Sequence, residues 1–390
     1  MSDALPDLDA LDVTALERRR SEKWATYPKG ILPLWVAEMD FPLAAPIDAV
    51  LREMLELGDF GYLLPPGRTG LAEAFAERME ARFGWAVDPG DVEILSDVVQ
   101  GMNLALANLS EPGDGAIVQT PIYPPFLGAV RDTGRRLVEN PLVPGASRFE
   151  IDFDGLRAGI DARTRVLMLC NPHNPTGRVL DRAELEALAE LALANDWIVV
   201  SDEIHGDLVH DGEHVPFGSL GPEVAERTVT LTSATKAFNI PGLRCACAHF
   251  GSTSLRKRFD AEPRHLRGGL GLPGIYATIA AWRESQPWLD HVKLELRRNR
   301  DLVAAFVAER FPGAVHFPPE ATYLAWVDFR PLGLPASPFR FFYDEARVAI
   351  SGGAAFGAPG DGFGRINFAT SRTILERALE AMAAAVDRRG

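Results

Sequence analysis

The stretch RVLMLCNPHNPTGRVLDRAELEALAELALANDWIVVSDEI, residues 165–204, decides the fold. Its first eight residues are a near-continuous apolar run, short enough for a strand and unbroken enough to be buried on both faces. A turn rich in Asn and Pro follows. Residues 182–196 place apolar side chains at helical spacing with acids between them. Residues 197–204 form a second apolar run that closes on Ser-Asp-Glu. Strand, helix and strand in that order make a crossover unit, whose two strands lie parallel.

The same alternation continues on either side. VEILSD (92–97) reads as a strand before a helix through VVQGMNLALANL, and GAIVQTP (115–121) as a strand before a Pro-rich turn. TVTLTS (228–233) and RCACAHF (244–250) follow. The predicted fold class is α/β, a mostly parallel sheet covered by helices. From about residue 290 the pattern changes to a long charged helix, then TYLAWVDF, FFYDEARVAI, GRINFA and a last helix, which reads as a smaller α+β domain. The expected organisation is an N-terminal segment, 1–45, packing with the small domain, a large domain, 46–288, and a small domain, 289–390.

A net charge of −14 disfavours a nucleic-acid partner, which needs a basic surface. No run approaches the roughly 18 apolar residues of a membrane span, and the acidic start is unlike a signal peptide, so a cytoplasmic protein with no membrane partner is expected. Three cysteines, Cys170, Cys245 and Cys247, give no disulfide framework.

In an open parallel sheet, ligands gather beyond the carboxyl ends of the strands. Here those ends carry NPHNPTG (171–177), SDEIH (201–205), SATK (233–236) and, after an earlier strand, Tyr123. Together they offer an amide, a carboxylate, an imidazole, an amine and an aromatic face. A lysine so placed can condense with an aldehyde. A buried carboxylate can hold the proton of a pyridinium ring and make the ring an electron sink. Those are the needs of pyridoxal phosphate.

The order Asn-Pro-x-Asn-Pro-x-Gly, Asp, Ser-x-x-Lys and an Arg eight residues on resembles the aspartate-aminotransferase-like, fold-type-I enzymes of pyridoxal phosphate along nearly the whole chain. LWVAEMDFP, SDEIHGDLV, KAFNIPGLR and ATYLAWVDF are similar to the MalY/PatB-type carbon–sulfur lyases, the cystathionine β-lyase-like enzymes. The resemblance implies these roles. Lys236 bonds the cofactor aldehyde and removes the substrate Cα proton. Asp202 partners the pyridinium. Asn174 bonds the phenolic oxygen and borders the substrate. Tyr123 stacks on the ring beside the reacting atoms. Ser233 and Arg244 hold the phosphate, with backbone N–H donors from Val98, Val99 and Gln100 and with Tyr62 of a second subunit. Arg372 clamps the substrate α-carboxylate, with Arg365 as the rival for that role. His205 stands where many aminotransferases carry tyrosine and favours the lyase subgroup.

The resemblance further implies a homodimer and an amino-acid substrate, with cystathionine or another cysteine S-conjugate cleaved to a thiol, pyruvate and ammonia. An aminotransferase shares every step up to loss of the Cα proton and stays open as the alternative. So does a regulatory binding protein with residual cofactor binding, since some relatives of the subgroup contact transcription regulators. Two patterns point elsewhere and are set aside. His205, Asp207, His210 and His214 crowd together, but His205 and His210 face opposite sides of a strand, and no metal is expected. Gly269, Gly271 and Gly274 spell a dinucleotide fingerprint, but no apolar strand precedes them.

Overall fold

A computed structural model describes residues 5–64, 68–261 and 267–389. Seven strands form the larger sheet, in the order Val92–Leu95, Ala246–Phe250, Thr228–Thr232, Ile198–Asp202, Thr164–Cys170, Gly115–Thr120 and Arg136–Pro141. All run in one direction except Ala246–Phe250, which is antiparallel to both neighbours. Along the central strands side chains alternate between two cores. Val166, Met168 and Val200 pack on one face with Met102 and Leu106, from the helix Val98–Leu109. Leu167, Leu169 and Val199 pack on the other with Leu185 and Leu188, from the helix Arg182–Ala194. The unbroken apolar runs are the consequence of burial on both sides.

The edge strand Arg136–Pro141 (RLVENP) was not expected from the sequence. It pairs with Gly115–Thr120 on one side only, and its exposed positions alternate with Val138 and Asn140, which are buried. Register brings the functional ends level. Cys170 lies opposite Asp202, and Asp202 opposite Leu231, five residues before Lys236.

A second sheet of five strands orders Leu32–Leu34, Val348–Gly352, Phe363–Asn367, Leu324–Asp328 and Val315–His316. The N-terminal segment supplies its first strand, parallel to Val348–Gly352. After that strand, residues 35–41 run without regular structure, and side chains from elsewhere catch their carbonyls. Asn367 donates to Val36 O and Glu38 O, and Asn239 to Met39 O and Phe41 O. Asn239 holds φ +56°, a left-handed conformation that asparagine tolerates. Lys23 and Asp40, both fully buried, form an ion pair at 2.9 Å, and Trp24 Nε1 donates to Asp40 Oδ1 at 2.7 Å. Removing one member strands a buried charge. Asp40→Ala is therefore expected to destabilise the fold by about 3–5 kcal/mol, read as a lower denaturant midpoint; an unchanged midpoint contradicts this.

Among the described residues no helix is long and apolar enough to cross a membrane. The glycine-rich run feeds the helix Leu272–Glu284, where a Cβ on Gly274 would meet Leu243 O at 2.3 Å. That glycine is a close-packing contact against the turn that carries Arg244.

Candidate active site

A cavity of about 1180 Å³ opens at the carboxyl ends of the parallel strands. Lys236, Asp202, Asn174, His205, Tyr123, Arg244, Val98, Val99 and Gln100 all line it, as does Arg365. Ser233, Tyr62 and Arg372 do not.

Lys236 sits in the turn after the strand Thr228–Thr232, and its Nζ donates to Ala37 O at 2.9 Å. Burial, and then the charge of Arg365, lower its pKa to about 8. At pH 7.5 about a quarter of such an amine is neutral, against about 0.1% of an ordinary lysine. Only the neutral amine attacks an aldehyde. The rate at which cofactor-free protein captures pyridoxal phosphate should therefore rise with pH and level off above about 8. A rate still climbing past pH 10 would show an unshifted lysine, and Lys236→Ala should abolish the covalent absorbance change.

Asp202 closes the strand Ile198–Asp202, and its Oδ1 accepts from Ile204 N at 3.1 Å. Burial raises its pKa to about 7. A carboxyl so poised gains from a cation brought beside it, such as a protonated ring nitrogen. His205 is buried and lines the cavity with Nδ1 lacking any partner; burial, then Lys236 and Arg365, lower its pKa to about 3 and keep it neutral. Tyr123 precedes the helix Pro124–Asp132, and its backbone N–H donates to Asn174 O at 2.9 Å.

Arg365 lies on the strand Phe363–Asn367 and is buried. It donates to Asn174 Oδ1 at 2.9 Å, Trp35 O at 3.0 Å and Ser351 Oγ at 3.2 Å. Its Nε is buried without a partner. Burial lowers its pKa only to about 10, so it stays cationic at neutral pH. A fixed guanidinium with an unused donor is a receptor for a carboxylate fork.

Arg372, expected in that role, is half-exposed outside the cavity. It opens the helix Arg372–Asp387 and pairs with Glu376 one turn on, at 2.7 Å. Ser233 is also absent from the cavity lining. Its hydroxyl is turned inward, 2.5 Å from Cys245 O and 2.8 Å from Thr235 Oγ1, and Thr235 lines the cavity instead. Gln100 contributes less than expected, because its N–H already donates to Asp97 Oδ1 at 2.7 Å as the helix cap. Val98 and Val99 open the same helix. Arg244 reaches across to form an ion pair with Asp97. Tyr62 is fully exposed on its own chain.

Sequence reasoning missed Tyr323, which is buried and donates to Ala37 O at 3.0 Å, the same acceptor that Lys236 uses. Of the crowded histidines, His210 Nε2 contacts Thr322 O at 2.6 Å, and His214 Nε2 contacts Glu203 Oε2 at 2.9 Å.

The donor set fits pyridoxal phosphate. It offers a buried amine of lowered pKa, a buried carboxyl of raised pKa, an unpartnered imidazole nitrogen, and a helix start with an arginine beside it. The comparisons with known proteins agree. Cystathionine beta-lyase PatB of Bacillus subtilis is 36% identical over 359 residues, covering 91% of this chain and 92% of that protein. The PLP-bound C-S lyase from Staphylococcus hominis superposes with a TM-score of 0.90 at 30% identity, over 98% of this chain and 99% of that one. The crystal structure of OvoB superposes with a TM-score of 0.89 at 40% identity, over 94% of this chain and 96% of that one. The family model described as aminotransferase class I and II matches residues 30–382, and the chain belongs to that family.

Proposed function

We propose that the protein is a carbon–sulfur β-lyase dependent on pyridoxal phosphate. It takes cystathionine or another cysteine S-conjugate to a thiol, pyruvate and ammonia. The observation that carries this reading is the meeting of Lys236, Asp202 and Arg365 on one cavity, with Arg365 Nε left as an unpartnered buried donor.

Lys236 and Asp202 would hold the cofactor at its aldehyde and ring nitrogen. Arg244, Thr235 and the start of the helix Val98–Leu109 would hold its phosphate. Asn174, His205 and Tyr123 would border its ring. When bound, the cofactor supplies an electron sink for the pair set free at the substrate Cα.

The chain does the rest. Arg365 takes the α-carboxylate through Nε and a neighbouring Nη, and so orients the Cα–H bond towards Lys236. The Lys236 amine removes that proton, as a base whose pKa lies near the working pH. The Cα–H pair becomes the second bond between Cα and Cβ as the Cβ–S bond breaks, and the sulfur leaves with its own pair and gains a proton. The released enamine takes up one water and yields pyruvate and ammonia, with no oxidant or reductant consumed.

Lysis over amino transfer is supported by PatB and the Staphylococcus hominis lyase, both similar over nine-tenths of this chain or more, and by the histidine at position 205. The two outcomes separate on one addition. A lyase neither needs a keto acid nor forms a new amino acid from it, so 2-oxoglutarate should leave the rate of thiol release unchanged and yield no glutamate. Turnover that stops after one cycle until 2-oxoglutarate is added, with glutamate appearing, would identify an aminotransferase.

A homodimer belongs to this proposal. Leu55, Leu57, Phe60 and Tyr62 form an exposed apolar stretch of the kind that marks an interface. A second copy seated there would bring its Tyr62 towards the phosphate end of the site.

A further inference from the structure

Most charged groups lining the cavity have a task. Lys236, Asp202 and Arg365 serve the reaction, and Arg244 pairs with Asp97 at the phosphate end. Glu22 and Glu38 are left over, with Arg19 beside them on the lining in a long ion pair with Asp40, and all three come from the N-terminal segment. Glu38 accepts from Ser21 Oγ at 2.5 Å, and neither it nor Glu22 has an ion-pair partner among the described residues. Arg19 donates to Asp40 O at 2.8 Å and stands 3.9 Å from Asp40 Oδ1, contacts that use two of its guanidinium nitrogens.

Their place relative to the reaction follows from Arg365. Its Nη2 is fixed to Trp35 O, and the next residues, Val36, Ala37, Glu38 and Met39, form consecutive cavity wall. A substrate gripped by its α-carboxylate at Arg365 would have this segment beside it, with Glu38, Glu22 and Arg19 on the same lining to meet its sulfur substituent. Two residues of the same lining, His205 and Arg365, each hold a buried ring or guanidinium nitrogen without a hydrogen-bond partner, a polar capacity that the chain itself does not use.

We infer that this wall is a leaving-group subsite that selects substrates whose sulfur substituent ends in an ammonium group. Glu22 and Glu38 receive the ammonium, and Arg19 receives any carboxylate carried beside it. The inference rests on the carbon–sulfur lyase reading. Unpaired carboxylates along a cavity wall are an electrostatic complement for a cation and a penalty for an anion, which is how charge confers specificity. Both carboxylates lie close enough to Lys236 for their charge to act on its amine.

The test compares S-(3-aminopropyl)-L-cysteine with S-butyl-L-cysteine, which match in length and differ in the terminal charge. The holoenzyme should show a higher kcat/KM for the ammonium substrate. Glu22→Gln or Glu38→Gln should lower the ratio of the two kcat/KM values about tenfold, and Glu22→Lys should turn the preference towards S-(3-carboxypropyl)-L-cysteine. Calorimetric Kd values for the same ligands on Lys236→Ala holoprotein should follow the same ratio without turnover. A wild type indifferent to the charge, or variants that lose both substrates equally, would overturn the subsite while leaving the lyase reading intact. Charge-selective binding with no pyruvate from any conjugate would sustain the subsite and overturn the lyase reading.

Discussion

Lys236→Ala should lower the rate of thiol release about ten-thousand-fold, the scale of losing a positioned base that is also a covalent anchor. Neither the arginines, the imidazole nor the phenol lining the cavity can replace it. Arg19, Arg244 and Arg365 are cations without a basic site. His205 is too weak a base, with a pKa near 3. Burial raises the Tyr123 pKa, so its phenol stays protonated at neutral pH. The contact the variant loses is one hydrogen bond to Ala37 O, which Tyr323 also serves. The fold should survive, with a denaturation midpoint close to wild type. A variant retaining more than about one per cent of the wild-type rate would show that another group moves the proton.

Arg365→Ala should raise KM for the amino-acid substrate by two to three orders of magnitude, whereas Arg372→Ala should change kcat/KM less than twofold. Truncating one partner of a buried charge pair costs about 2–5 kcal/mol, or roughly 30-fold to several thousand-fold in binding. Arg365 is fixed by three acceptors with Nε in reserve, whereas Arg372 is exposed and tied to Glu376 on its own helix. Arg365→Lys should recover little, because an ammonium cannot form the planar fork. A large loss with Arg372→Ala and none with Arg365→Ala would reverse the assignment.

Those two arginines show where the sequence was legible and where it was not. Both fall in GRINFATSR, and the resemblance favoured the second. Two local signals point to the first. Arg365 is the lone charged residue of the buried strand Phe363–Asn367, where it must be paired or functional. Arg372 has an acid four residues on, the usual surface pair of a helix. The central strands were readable because burial on both faces leaves runs without polar interruption. The edge strand Arg136–Pro141 was not, since a strand paired on one side tolerates charge at alternate positions and loses that signal. The reversed direction of Ala246–Phe250 left no mark, because an apolar run reads the same whichever way it pairs. The inward turn of Ser233 was equally hidden. Two hydroxyls two residues apart, Ser233 and Thr235, offer the same chemistry, and only the position of Cys245 O decides which one faces the cavity.

The most direct test of the account is to supply L-cystathionine to the holoenzyme with no keto acid present and to follow pyruvate, homocysteine and ammonia together. The account predicts that all three appear in equal amounts over many turnovers, and that Lys236→Ala holoprotein forms none above background. Absence of pyruvate and homocysteine from a wild-type protein that carries its full complement of cofactor would contradict it.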